Sequence, residues 1–154
     1  TARVRESFRV LRRTNMVLLG YFILGNIGED ERQMRETVPF AREIGLDLLN
    51  LCLLRNETYS GLDDLIAATP GYHTAPGPDK IVYSDRYPVS ALRRLQGRML
   101  RQFYTPGHLL HVCKRALRNG LIAPGMLARL PLWLATNGLR AIVSGKARTA
   151  WGKG

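Results

Sequence analysis

Residues 86–154 contain no aspartate or glutamate. All 12 acidic residues lie in residues 1–85 beside 10 lysines and arginines, a net charge of −2. The other 13 lysines and arginines follow, a net charge of +13. The first half thus resembles an ordinary globular module, whereas the field of the second attracts phosphates or acidic surfaces. Cysteine is as scarce as acid is localised, with only Cys52 and Cys113. They stand far apart in apolar surroundings, which argues against a disulfide framework and predicts a reducing, cytoplasmic setting. No h-region with a small-residue cleavage site follows Thr1, so no signal peptide is expected. No methionine initiates the chain, which opens inside an arginine-rich amphipathic run, and the expectation is a piece of a longer protein.

What is there suffices for one core: 154 residues, 45% of them hydrophobic. Val4, Phe8 and Leu11 share one face of a helix over residues 2–13. Residues 16–25 form a short apolar run, rich in β-branched and aromatic side chains, which predicts a strand buried on both faces. After a turn at Asn26 to Gly28, a helix is expected from Glu29 to Ile44. Its first turn is acidic, and its stripe of Met34, Val38, Ala41 and Ile44 ends at Gly45. Pro39 removes one backbone donor inside it and predicts a kink. Residues 48–54 are a second apolar strand, so the pair forms a right-handed βαβ unit with parallel strands. A short helix over residues 60–70, a turn-rich stretch over 70–79 and a short strand over 80–84 follow. From Val89 the pattern is helical. Leu92, Leu95, Met99 and Phe103 share a face, and a second helix over residues 108–118 ends at Asn119-Gly120.

The informative stretch is Gly20-Tyr-Phe-Ile-Leu-Gly25-Asn-Ile-Gly28-Glu29. A buried strand that ends in glycine before an acidic helix start makes a corner at the strand's C-terminal end, the edge where α/β folds bind ligands. Gly25 lets a ligand approach the backbone, and amides ahead of the helix are potential donors. Many structural βα corners share this description. The context narrows it: Ile23, Gly25, Gly28 and Glu29 are followed by Glu36-Thr37, Phe40-Ala41 and Gly45-Leu-Asp47.

That series resembles the late part of the radical SAM barrel, where a GxIxGxxGE-like corner precedes a helix of the form ETxxFAxxxGxD and a strand. The form YFILG is most similar to the subgroup with an N-terminal cobalamin-binding domain, the bacteriochlorophyll cyclase and P-methylase-like enzymes. The resemblance implies an α/β fold, part of a (β/α) barrel over residues 1–70. A turn-rich connection (71–88), a basic helical extension (89–143) and a disordered basic tail (144–154) follow. It implies that Tyr21, Ile23, Gly25, Asn26, Gly28 and Glu29 line the S-adenosylmethionine pocket, with Ile23 and Gly25 flanking the adenine. It implies an iron–sulfur cluster and cobalamin in the parent enzyme, which would methylate or rearrange an unactivated carbon. The departures are Tyr21 for a common glycine, Asn26-Ile27 at the turn, and Leu54-Arg55-Asn56-Glu57-Thr58 in place of Pro-x-Pro-Gly-Thr. The CxxxCxxC cluster motif is absent, and two cysteines cannot supply three thiolates. The piece alone is therefore expected to be inactive, with the missing N-terminal part of the polypeptide as its partner.

Other residues have two readings each. Arg55, at the end of the second strand, either holds a substrate carboxylate or phosphate or makes a structural ion pair. His108 and His111 share a helix face and are either metal ligands or a partly buried pair, with Cys113 off that face. Glu57, Asp63 and Asp64 read as a solvated loop and helix cap, and Cys52 as core. Residues 121–143 are apolar, but Pro124 and Pro131 argue against a clean membrane span. An interfacial helix on an anionic membrane fits better, which makes a non-catalytic basic membrane-surface or partner-binding module the alternative function through residues 86–143. Few aromatics interleave with the charges, so nucleic acid is not an expected partner. Exposed strand edges predict self-association.

Overall fold

The computed structural model describes residues 2–57 and 60–122. Those residues form a mixed α/β arrangement. Helix α1 is Ala2–Leu11, strand β1 Leu19–Leu24, helix α2 Glu31–Glu43 and strand β2 Leu48–Leu53. Helix α3 (Leu62–Ala68), strands β3 (Tyr72–Thr74) and β4 (Val82–Ser84), and helices α4 (Val89–Phe103) and α5 (Pro106–Arg118) follow. The expected helix–strand–helix–strand order is present, and no closed barrel forms among the described residues. The chain divides into two units, residues 1–112 and 113–154. In the second unit the described residues complete α5. The Leu121 and Gly120 amides close its end on the Ala116 and Leu117 carbonyls, at the expected Asn119-Gly120 stop. Of the segment 121–143 only Leu121 and Ile122 are described, and the tail 144–154 lies outside the described residues.

β1 and β2 pair in parallel, Leu19 opposite Leu48 through Leu24 opposite Leu53. Strand side chains alternate between faces. Leu24 of β1 and Leu49, Leu51 and Leu53 of β2 are buried with α2's Met34, Val38 and Ala41. On the same side Phe22 meets the Phe40 ring edge-on at 6.2 Å. The expectation that β1 is buried on both faces is corrected. Leu19, Tyr21 and Ile23 are 45%, 68% and 52% exposed, because nothing among the described residues covers the face away from α2. Cys52, expected in the core, is exposed for the same reason, since its register partner is Ile23.

α2 starts with a reciprocal cap. The Asp30 carboxylate accepts from the Gln33 amide, and the Gln33 side chain accepts from the Asp30 amide. The helix continues through Pro39, whose missing N–H removes one rung of the ladder. Phe40 and Arg42 lie about 100° to either side of Ala41 on the helix. Arg42 donates to the Gln102 carbonyl of α4, while Phe40 and Glu43 face α1. There Arg5 bonds Glu43 at 2.6 and 3.0 Å and lies over the Phe40 ring at 5.3 Å. α2 therefore has α4 on one flank and α1 on the other.

Two buried polar arrangements fix the sheet. The Asp47 carboxylate accepts the Leu18 amide at 2.8 Å, the Asp47 amide donates back to the Leu18 carbonyl, and His108 bonds the Asp47 carbonyl at 2.9 Å. The outer edge of β2 meets side chains rather than a strand. The Tyr104 hydroxyl accepts from the Leu49 amide at 2.8 Å and donates to the Leu49 carbonyl at 2.9 Å, and Gln96 donates to the Leu51 carbonyl.

Replacing Tyr104 by Phe strands both Leu49 groups and is expected to cost about 1–3 kcal/mol. Burial raises the Tyr104 pKa above 10.0, and the bond to Leu49 only partly opposes it. The folded protein thus holds the phenolic proton more tightly than the unfolded chain. This contribution is complete below pH 10.0 and is lost as pH rises through the folded value. Urea denaturation of both proteins at neutral pH and above pH 10 should show the gap between wild type and Tyr104→Phe narrowing with pH.

Candidate functional site

The C-terminal ends of the two parallel strands open onto the corner that the sequence singles out. Gly25 has φ +79°, a left-handed conformation that a Cβ strains, and a Cβ there would meet the Leu92 side chain at 3.3 Å. Its glycine therefore lets the chain turn against α4. The corner's amides are engaged from within. One oxygen of the Glu29 carboxylate accepts from the Gly25 amide at 2.9 Å and the Asn26 amide at 3.0 Å. The Asn26 side-chain amide bridges that same oxygen and the Ile23 carbonyl. Two tyrosine hydroxyls from the 71–88 stretch take further amides, Tyr72 that of Gly28 at 2.8 Å and Tyr87 that of Glu31 at 3.1 Å. The stretch also pairs β3 with β4 in antiparallel register, Tyr72 opposite Ser84. The Gly25, Asn26 and Gly28 amides, read from the sequence as potential ligand donors, thus serve the fold.

What the corner leaves open is a surface. Tyr21 and Ile23 stand on the exposed face of the sheet, next to Asn50 and Cys52 by register. The Cys52 sulfur lies 3.9 Å from the Asn50 side-chain oxygen. This patch of one aromatic ring, one branched aliphatic chain, one amide and one thiol suits a flat, largely apolar ligand group with polar edges. Asn50 and Cys52 are its members that the sequence reading missed. Their place beside Tyr21 and Ile23 follows from the parallel register and period-two alternation, both legible in principle.

The remaining candidates take structural partners. Arg55 donates to the Asp79 carbonyl at 2.8 Å and the Pro78 carbonyl at 3.4 Å, and lies 3.4 Å from Glu57 and 3.6 Å from Asp79 carboxylate oxygens. These contacts hold the 78–80 turn against the end of β2. Asp63 accepts from the Asn56 side chain at 2.6 Å, while Gly61 rather than an acid caps α3. His108 packs on the Phe103 ring at 4.5 Å besides bonding Asp47, and His111 is exposed. No group of three potential metal ligands occurs among the described residues. No helix among them is long and apolar enough to cross a membrane.

No family model, curated protein or solved structure matches the chain.

Glu29→Ala leaves the Gly25 and Asn26 amides without their charged acceptor. A loss of about 1.5–3 kcal/mol is expected, measured by urea denaturation, with Glu36→Ala on the exposed face of α2 as a near-neutral control.

Proposed function

We propose that the chain is the C-terminal part of a cobalamin-dependent radical SAM enzyme, a partial (β/α) barrel with a helical extension that is inactive alone. The observation that supports it best is the open face. Tyr21 and Ile23, which lie in the segment that resembles the family, are exposed together on the face of the parallel pair away from α2, with Ile23 next to the C-terminal end of β1. That end is where parallel α/β sheets take ligands. An adenine ring fits such a patch, with Ile23 against its face and Tyr21 and Asn50 at its margin. The Gly25 and Asn26 amides are committed to Glu29, so this chain contributes side chains rather than those amides. The cluster's three thiolates have no source in Cys52 and Cys113, so the rest of the enzyme supplies them. When bound, the cluster and S-adenosylmethionine supply radical chemistry at an unactivated carbon, and cobalamin the methyl transfer. This chain's residues shape and dry one wall of that pocket.

The test uses the whole gene product, loaded with iron without oxygen. Ile23→Asp buries an unpaired charge against the ligand and should weaken S-adenosylmethionine binding by roughly tenfold or more. Iron content should be unchanged. A gene product that binds neither iron nor S-adenosylmethionine overturns the assignment.

A second reading is a basic membrane-surface module. It is favoured by the absence of acid from residues 86–154 and by Leu109 and Leu110, which α5 leaves exposed. Co-sedimentation with anionic vesicles at low salt, lost on deleting residues 121–154, is its expected result.

A further inference from the structure

The arginines of α1 are arranged unlike those of α2. On α2, Arg32 and Arg35 each pair with a glutamate one turn away, Glu36 at 2.9 Å and Glu31 at 2.5 Å. On α1 and the turn that ends it, Arg5, Arg9 and Arg13 recur every four residues, with Arg12 beside the last. Like charges at that spacing oppose a helix rather than support it. All four arginines, together with Glu43 and Ile44 at the end of α2, line one open cavity of about 360 Å³.

The carboxylates at hand do not balance them. Glu43 gives both oxygens to Arg5, at 2.6 and 3.0 Å. Arg9 pairs with Glu6 of its own helix at 2.8 Å. The Arg12 guanidinium reaches the Glu43 carbonyl at 3.5 Å but no carboxylate, and Arg13 has no ion pair among the described residues. The C-termini of α1 and α2 favour nearby cations, yet of the four only Arg12 reaches a terminal carbonyl. Arg12 is also seated. Gly45 has φ +72°, and a Cβ on it would meet the Arg12 Nε at 2.5 Å and Cζ at 2.9 Å. The glycine thus lets this guanidinium lie against the backbone at the cavity.

We propose that the cavity between α1 and α2 binds a phosphate monoester, held by Arg9, Arg12 and Arg13. With Glu43 and Glu6 each paired to an arginine, two of the four guanidinium charges remain. A phosphate monoester carries a charge of about −1.5 to −2 at neutral pH and three acceptor oxygens, so one group balances both and bridges several guanidinium forks. A carboxylate is saturated by a single fork, as Glu43 is by Arg5. A phosphodiester has a single charge and two free oxygens, and leaves one guanidinium unbalanced. The cavity falls in the size range of small-molecule sites and has room for the body of a small ligand besides its phosphate. The group can arrive on a soluble molecule or as a lipid headgroup, with the same chemistry. α1 and α2 end where the chain leads into the starts of β1 and β2, so this site lies at the end of the strand pair opposite to the Gly25 corner. It is independent of the chemistry proposed above, and its failure would leave that reading untouched.

The test is calorimetric titration of the whole gene product, free of iron and S-adenosylmethionine, with glycerol 3-phosphate. A second arm is co-sedimentation with phosphatidylcholine vesicles that contain phosphatidic acid, whose headgroup is also a monoester. Arg12→Gln is expected to weaken binding by at least about tenfold. Arg3→Gln removes the same charge from the same helix outside the cavity and should leave binding within about twofold. Gly45→Ala changes no charge but displaces Arg12, and should weaken binding as well. Gly61→Ala, at φ +70° with open space for its Cβ, introduces the same backbone strain and should not. Arg12-dependent binding of glycerol 3-phosphate supports the site with a soluble ligand, and Arg12-dependent binding to the vesicles alone supports it with a lipid headgroup. The proposal is overturned if neither probe binds in a way that depends on Arg12, or if Arg3→Gln weakens binding as much as Arg12→Gln. Dimethyl phosphate, a diester, binding as tightly as glycerol 3-phosphate overturns it as well.

Discussion

The outer edge of β2 is the constraint on which the rest of the arrangement depends. A parallel strand must satisfy backbone groups on both sides, and a strand partner usually does so. Here Tyr104 and Gln96 of the α4 region reach across to Leu49 and Leu51. Two side chains replace a neighbouring strand, and they do so only because α4 is held alongside. Leu92, Leu95, Met99 and Phe103 bury its inner face, and Arg42 of α2 binds its C-terminal turn. Removing α4 would therefore uncover the β2 edge as well as part of the core. With that edge closed, the outward backbone of β1 is the open side of the pair among the described residues.

Carboxylates do a related job inside the unit. Asp47 is nearly inaccessible, and its burial is tolerated because its side chain accepts a main-chain amide while its main-chain groups bond Leu18 and His108. This joins the start of β1, the start of β2 and α5 at one point. Glu29 does the same at the opposite end of β1, where it gathers the Gly25 and Asn26 amides. β1 is thus clamped at both ends by acids that a charge count alone would assign to the surface.

Much of this was legible in the sequence. The apolar stripes of α2 and α4 name the residues that are buried, and the two short apolar runs are the parallel strands. What failed has a physical cause. A continuous apolar run implies cover on both faces, but cover on the second face is a property of the neighbours and not of the run. Hence Leu19, Tyr21, Ile23 and Cys52 are exposed. β3 lay inside a stretch dominated by Pro70, Gly71, Pro76 and Gly77, whose turn signals masked three residues of pairing. The partners of Glu29, Arg55 and His108 were unreadable for another reason. Arg55 and His108 bond residues far along the chain, Asp79 and Asp47, whereas Glu29 turns back on its own corner, and residue type and spacing distinguish neither use from ligand binding.

The alternation of side chains along β1 separates two kinds of demand on neighbouring residues. Gly20, Phe22 and Leu24 face the helices. A Cβ at Gly20 would approach a Leu46 methyl to 2.3 Å, and Phe22 and Leu24 pack into the core. Changes there act through stability. Tyr21 and Ile23 face away and touch no core, so the described fold gives no reason for a large aromatic and a β-branched side chain at those positions. Exposed apolar side chains favour burial by something else. A strand that continued the sheet would engage the outward backbone groups of β1, whereas a ligand bound against the face would cover these side chains. The first acts through the backbone of β1 and the second through the tips of its side chains. Because a strand carries these groups in perpendicular directions, the same few residues can meet both demands at once.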